Sequence, residues 1–410
     1  MPTVDAERWP EVAAVPRCSA LRAEVTARVV RRTLDRLPMW VLLPDGSRLG
    51  RGGPVWELRD PDAFHRRLGR DGLIGFGESY MAGEWEAEDL VGVLEVFADQ
   101  VTELVPPALR RLRRLWARRP PATQRNSRAG SRRNIHRHYD LSNELFALFL
   151  DETLSYSAAL FRSLPARPEL LADAQRRKVD ALLDLAEVGP GTRLLEIGTG
   201  WGQLALQAAR RGARVTTVTL SEEQRALARR RLAEAGVADR VSVELRDYRD
   251  TTGRYDAVVS VEMIEAVGED YWPTYFRTLD QRLEPGGRVA LQAITMPHDR
   301  LRETRGTFTW IQKYVFPGGL LPSTTAIEEN LARHTGLRLT AQTGYGPHYA
   351  ETLRLWRERF AAHADEVAAL GFDHTFRRMW NLYLAYSEAG FRSRYLDVRQ
   401  LQLTKEEFTR

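Results

Sequence analysis

The amino-acid sequence predicts an α/β fold: a doubly wound parallel sheet with a small mixed N-terminal domain and helical, aromatic insertions. Three observations predict it. First, Leu194-Leu195-Glu196-Ile197 suits a buried strand and runs into Gly198-Thr199-Gly200-Trp201-Gly202, a glycine-rich turn that opens a helix at Gln203–Arg210. Glycine permits the tight turn and lets a ligand approach the backbone, and the helix N-terminus offers free N–H groups. Second, strand patterns recur at 214–220, 241–245 and 255–261, with a helix rich in Glu, Gln and Arg after the first of them. Third, polar residues stand where these strands end, Asp247 after the third and Glu262 after the fourth. The carboxyl ends of parallel strands are where such sheets bind ligands.

The turn reads Glu-x-Gly-x-Gly, not the G-x-G-x-x-G of dinucleotide-binding domains. Glu196 would repel a pyrophosphate, yet it can accept hydrogen bonds from an ammonium or a hydroxyl. This pattern resembles the S-adenosylmethionine (SAM) methyltransferase fold, a Rossmann-like doubly wound sheet. A dinucleotide domain and a plain structural turn are the alternatives.

Taken in order, residues 1–118 read as the small domain. Val41–Leu43, a Pro44-Asp45-Gly46 turn and Val55–Leu58 suggest a hairpin-like unit. A helix starts at Pro61, a glycine-rich turn spans Gly75–Met81, and a second helix covers 88–97. Residues 119–133 are a linker by composition, and 134–410 form the main domain. Ser142 is placed to cap a helix. Residues 151–161 read as an exposed loop, followed by a helix over 170–186. Pro285-Gly286-Gly287 turns into a strand at 288–293. The segment 308–319 is too aromatic for a solvated loop. It either lines an apolar tunnel or is an inserted core segment. Helices at 349–370 and 374–393 carry Trp356, Phe360, Trp380, Tyr383 and Phe391 at core spacing.

The 410 residues are 43% hydrophobic and 28% charged, ordinary for a globular protein of two or three domains. No apolar run approaches the roughly 18 residues of a spanning helix. No signal peptide is visible in Met1–Pro10, so a cytoplasmic location is expected. The single cysteine, Cys18, excludes an internal disulfide and a cysteine-rich metal site, and no metal is expected. Net charge is +5, and lysine occurs only at 178, 313 and 405. Arg110, Arg111, Arg113, Arg114, Arg118 and Arg119 cluster beside Leu109, Leu112, Leu115 and Trp116, which share a helical face. That suits an anionic membrane surface, a solvated linker helix, or nucleic acid. No base-reading motif supports the last, so no nucleic-acid partner is expected.

Several stretches together resemble the cyclopropane-fatty-acyl-phospholipid synthase family: HYDLSNELFALFLDETLSYS at 138–157, LLEIGTGWG at 194–202, SVEMIEAVG at 260–268, WIQKYVFPGGLLPS at 310–323 and GFGESYM at 75–81. The resemblance covers most of the chain. It implies methyl transfer from SAM to the double bond of an unsaturated acyl chain in a membrane phospholipid. It also implies a lipid-binding N-terminal domain; a peripheral place on the inner membrane face and a homodimer are expected. Aromatic walls such as 308–316 would shelter the carbocation that methylation leaves.

That cation must lose a proton. In the family a bound bicarbonate serves, held by Cys, Glu, His and Tyr. The Glu matches Glu265 and the Tyr matches Tyr349, while the Cys falls on Ala158 and the His on Gln292. Two of four contacts have changed chemistry, which sets bicarbonate in question. Glu262, where some relatives have glycine, adds a carboxylate that either replaces the anion as base or binds SAM. For SAM the resemblance implies Tyr156 and Ser157 at the amino-acid end, Glu196, Gly198 and Gly200 at the turn, Thr219 and Gln224 near the ribose, and Asp247 at the adenine edge. Four functions follow for comparison: ring formation, the same transfer ending in a methylene or methyl-branched chain, a small-molecule methyltransferase, and a silent lipid-binding protein.

Overall fold

The computed structural model describes residues 4–100, 119–139 and 142–405. Its contacts group into two units. One comprises Met1–Pro121, Gly306–Val315 and Trp356–Tyr395; the other comprises Ala122–Arg305, Phe316–Leu355 and Leu396–Arg410. By contacts, 306–315 and 356–395 thus group with the N-terminal residues, where the sequence reading kept 134–410 together. The basic stretch carrying Arg110, Arg111, Arg113, Arg114 and Arg118 lies outside the described residues. The linker is not wholly irregular, since a helix begins inside it at Arg128 and runs to Tyr139. No helix among the described residues is long and apolar enough to cross a membrane.

The first unit holds a four-stranded sheet ordered β2-β1-β3-β4. Its strands are β1 (Trp40–Leu42), β2 (Arg48–Gly50), β3 (Val55–Leu58) and β4 (Trp85–Ala87). The expected turn at 44–46 exists, but the strand it returns is β2. β3 instead pairs parallel to β1. Gly75–Met81 is a helix, Leu73–Met81, not a turn. Its glycines serve close packing: a Cβ on Gly77 would stand 2.4 Å from Trp310 Cδ1, and one on Gly75 would stand 2.1 Å from the Arg67 carbonyl oxygen. Glu78 on that helix is buried. It accepts from Tyr314 Oη at 2.8 Å and pairs with Lys313. Trp310 and Tyr314 are therefore inserted core of this unit. Trp56 and Trp85 anchor the rest, their rings 5.6 Å apart. The predicted terminal helices are Gly346–Ala362, Ala364–Ala369 and His374–Arg392, and their five named aromatic residues are buried.

The second unit is built on seven strands ordered β10-β11-β9-β8-β5-β6-β7. They are β5 (Arg193–Ile197), β6 (Arg214–Thr219), β7 (Val241–Leu245), β8 (Tyr255–Val261), β9 (Leu283–Thr295), β10 (Leu337–Gly344) and β11 (Asp397–Lys405). β5 to β9 run parallel, while β11 is antiparallel to β9 and β10 to β11. Pro285-Gly286-Gly287 lies within β9 as a register irregularity, not before it. The side-chain period of two sorts the faces. Leu195, Ile197, Val258, Val289 and Leu291 enter one core, and Leu194, Ala257, Val259 and Ala290 enter the other. Strand order reverses beside β5, between β6 on one side and β8 on the other. That switch point sets the crevice at the strands' carboxyl ends.

Gly77→Ala tests the packing of the first unit. In an open helix this change stabilises. Against the Trp310 ring it is expected to destabilise by about 1–3 kcal/mol, read as a lower midpoint in denaturant titration.

Candidate active site

The turn after β5 is formed as the sequence requires. Gly198, Gly200 and Gly202 have φ of +97°, +51° and +88°, a region that L side chains rarely adopt. Gly202 caps the helix Gln203–Arg210. A Cβ on Gly200 would meet nothing within 4 Å, whereas one on Gly198 would stand 2.7 Å from Met263 Cγ. Glu196 is buried, and its Oε2 has no hydrogen-bond partner. Burial pushes its carboxyl up to about 8, against the Thr217 hydroxyl and the Lys178 charge. An orphaned buried carboxyl oxygen beside the open space at Gly200 fits a polar group of SAM.

The other predicted cofactor residues ring the same strand ends. Thr219 Oγ1 donates to Gln224 Oε1 at 2.9 Å. Asp247 is already engaged: Arg249 donates to its Oδ2 at 2.6 Å and to its Oδ1 at 2.8 Å. The ring of Tyr156 stands edge-on to Phe146 at 5.1 Å. Ser157 is buried and accepts from Lys178 Nζ at 2.6 Å.

The segment 151–161 is not the exposed loop expected. Asp151, Thr153, Ser155, Ser157, Ala158, Ala159 and Phe161 are all buried. Side chains from elsewhere satisfy its backbone. Gln175 Nε2 donates to the Ser157 carbonyl at 2.8 Å, while Thr352 Oγ1 and His348 Nδ1 accept from the amides of Ala159 and Phe161. The composition reads as loop because these hydrogen bonds come from distant sequence.

The four predicted catalytic residues gather at this segment. Glu262 follows β8 with φ +51°, left-handed for a non-glycine residue. Its Oε1 accepts from the Ala158 amide at 2.9 Å and from Gln292 Nε2 at 2.7 Å. Its Oε2 accepts from Tyr349 Oη at 2.8 Å. The orientation of Gln292 is fixed from behind, because its Oε1 accepts from the Tyr345 hydroxyl and from Gln400 Nε2. Burial raises Glu262, opposed by the Ala158 amide, Gln292, Lys178 and Tyr349. Glu265 stands beside it and accepts from the Ile294 amide at 2.5 Å, while its Oε2 has no partner. Burial and then the Glu262 charge push Glu265 up to about 8. The site thus holds one carboxyl group answered by three donors and a second, answered by one amide, that burial and its neighbour push up.

Lys178, Tyr345, Gln400 and Gln175 were not singled out from sequence. Only Lys178 carried a signal there, as one of three lysines among sixty basic residues. Among the described residues, no group of His, Cys, Asp and Glu is arranged to hold a metal ion.

A mostly parallel sheet with an acidic glycine-rich turn after its central strand, and this ring of polar groups, defines a SAM-dependent methyltransferase. The chain belongs to the cyclopropane synthase family: the family model described as mycolic acid cyclopropane synthetase matches residues 126–401. It is 56% identical to tuberculostearic acid methyltransferase UfaA1 of Mycobacterium tuberculosis, over 98% of this chain and 96% of that one. It is 33% identical to the cyclopropane-fatty-acyl-phospholipid synthase of Escherichia coli K12, over 85% and 87%. The structure resembles mycolic acid cyclopropane synthase CmaA1 complexed with SAH and CTAB, with TM-score 0.61 and 29% identity, covering 70% of this chain and 99% of that one.

Gly198→Val should remove measurable SAM binding in calorimetry while the protein stays folded. The branched side chain conflicts with φ +97° and with Met263. Unchanged affinity in the folded variant would place the cofactor elsewhere.

Proposed function

We propose that the protein methylates the double bond of an unsaturated acyl chain of a membrane phospholipid, and that Glu262 takes the proton released. The observation carrying this reading is the Glu262 carboxylate, held by Ala158, Gln292 and Tyr349. These are three of the four positions that the family resemblance assigns to bicarbonate. Glu262 brings its own carboxylate to the anion's neighbours, so no bicarbonate is needed.

Bound SAM supplies an electrophilic methyl that an alkene can attack, leaving a carbocation on the acyl chain. Tyr156, Ser157, Glu196, Gly198, Gly200, Thr219, Gln224 and Asp247 are the residues assigned to hold it. A carboxylate offers about four lone-pair directions. Three are occupied on Glu262, which leaves one on Oε2 to receive the proton. Tyr349 and Gln292 hold that oxygen pair in place, and neutral Glu265 avoids a second charge beside it.

The 56% identity to a tuberculostearic acid methyltransferase, a methyl-branched case, supports a methylene or methyl-branched product over a ring. The ring is the second reading, favoured by the family's description and by the Escherichia coli relative. The products have equal mass when the branch is an exocyclic methylene. Proton NMR of lipids from an expressing host therefore decides between them: vinylidene signals are expected, and upfield ring-methylene signals would establish the cyclopropane.

Glu262→Gln is expected to keep SAM affinity and lower turnover by about 10²-fold or more, the scale of lost general-base help. Glu262→Gly opens the carboxylate's place between the same donors, so added bicarbonate should restore part of its activity. Full turnover by Glu262→Gln in carbonate-free buffer would remove Glu262 from the reaction.

The substrate is taken from an anionic membrane surface, with the N-terminal unit as the lipid-binding part. Arg110, Arg111, Arg113 and Arg114 supply the attraction, each basic residue contributing about 1 kcal/mol near such a surface. Reversing all four charges should abolish co-sedimentation with anionic vesicles at low salt. Unchanged co-sedimentation would make this stretch a linker.

A further inference from the structure

Lys178 is a buried charge with no part in the chemistry above. It is 2% exposed, on the helix Leu171–Leu185, and forms no ion pair among the described residues. Its Nζ donates to Ser157 Oγ at 2.6 Å. Ser157 and Ala158 are consecutive: Lys178 holds the hydroxyl of the first, and Glu262 accepts from the amide of the second. A second connection runs through Gln400. Its Nε2 donates to the Lys178 carbonyl and to Gln292 Oε1, each at 3.2 Å, and Gln292 donates to Glu262. The Lys178 ammonium thus holds the residue next to Ala158, whose amide donates to Glu262, while the Lys178 backbone carbonyl holds Gln400 behind Gln292.

The chemistry of the group narrows its role. An ammonium only donates, so Ser157 Oγ must accept from it, and the serine O–H is left to be donated elsewhere. A buried charge is costly unless other charges answer it. Burial pushes Lys178 down to about 8, opposed first by Glu262 and then by Asp151 and Glu196. The titratable groups around Glu262 are Tyr349, which donates to it, Tyr345 behind Gln292, and Glu265 and Lys178, whose charges act on it. His348, on the helix that carries Tyr349, is pushed down by burial. Lys178 is thus the one cation among these titratable groups.

We propose that Lys178 is a positioning residue: its ammonium fixes Ser157 as a hydrogen-bond donor and supplies the positive charge that keeps Glu262 a carboxylate. This rests on the reading of Glu262 as proton acceptor.

The test is the pH profile of kcat for the full-length protein with SAM and unsaturated phospholipid vesicles. Removing a nearby cation disfavours the ionised carboxylate, so the acidic limb should move to higher pH. Lys178→Met is expected to move it by about one unit, and Lys178→Arg to leave it in place. Should Lys178→Met not fold, Lys178→Gln decides, since it keeps a donor to Ser157 but no charge; the same displacement is expected. Ser157→Ala retains the charge, so its limb should stay at the wild-type pH while SAM affinity in calorimetry falls about tenfold, a lost hydrogen bond to a charged ligand. A neutral variant with an unmoved limb, or Lys178→Arg displaced as far as Lys178→Met, would overturn the proposal. A different result marks failure of the underlying reading: Glu262→Gln would then keep turnover and its acidic limb, whatever happens at Lys178.

Discussion

A buried carboxylate must be answered by donors, and in this protein the answer to Glu262 organises the catalytic unit. Desolvating an ion costs several kcal/mol even after relaxation. The donors come from separate parts of the chain: the amide of Ala158 in a buried loop, the amide group of Gln292 on β9 and the hydroxyl of Tyr349 on the helix Gly346–Ala362. Each needs support of its own. Tyr345 and Gln400 turn Gln292 so that its NH₂ end faces the carboxylate. Gln175, Thr352 and His348 hold the loop that presents Ala158. A left-handed φ at Glu262 aims the side chain, and such strain persists only where its surroundings determine it.

Two carboxyl groups three residues apart cannot both ionise cheaply in so dry a place. The environment divides them. Glu262 has three donors and a lysine charge in its favour, while Glu265 has one amide and the charge of its neighbour against it. The donors therefore favour ionisation at Glu262 over Glu265. Pairs of groups pushed apart in this way mark the acid and the base of a site.

Much of this was legible in the sequence. β5, its acidic turn and the following helix were readable because glycine spacing and hydrophobic period are local signals. Glu262, Gln292 and Tyr349 could be singled out by resemblance, and the fold brings them together. What was not legible depends on long-range contacts. Residues 151–161 read as solvated because the sequence does not show that Gln175, Thr352 and His348 satisfy their backbone. Gly75–Met81 read as a turn because a glycine kept for packing against Trp310 looks the same as one kept for its φ. β10 and β11 carry Thr, Gln and Arg between their apolar residues, and the sequence reading passed over them as strands.

The tethered carboxylate also differs thermodynamically from a bound ion. A free anion loses translational freedom on binding, and its occupancy follows its concentration in solution. A side chain is present at every turnover, and intramolecular placement is worth several kcal/mol over a dissolved partner. Against this stands the left-handed backbone at Glu262, costing about 1–2 kcal/mol. The balance favours the tether wherever the anion is scarce. It also fixes one orientation: the donors on Oε1 and Oε2 leave a single lone-pair direction open, whereas a free anion in the same place can turn among its oxygens. With Glu262 as the proposed proton acceptor, control over which proton leaves the acyl chain would be built into the backbone at residue 262.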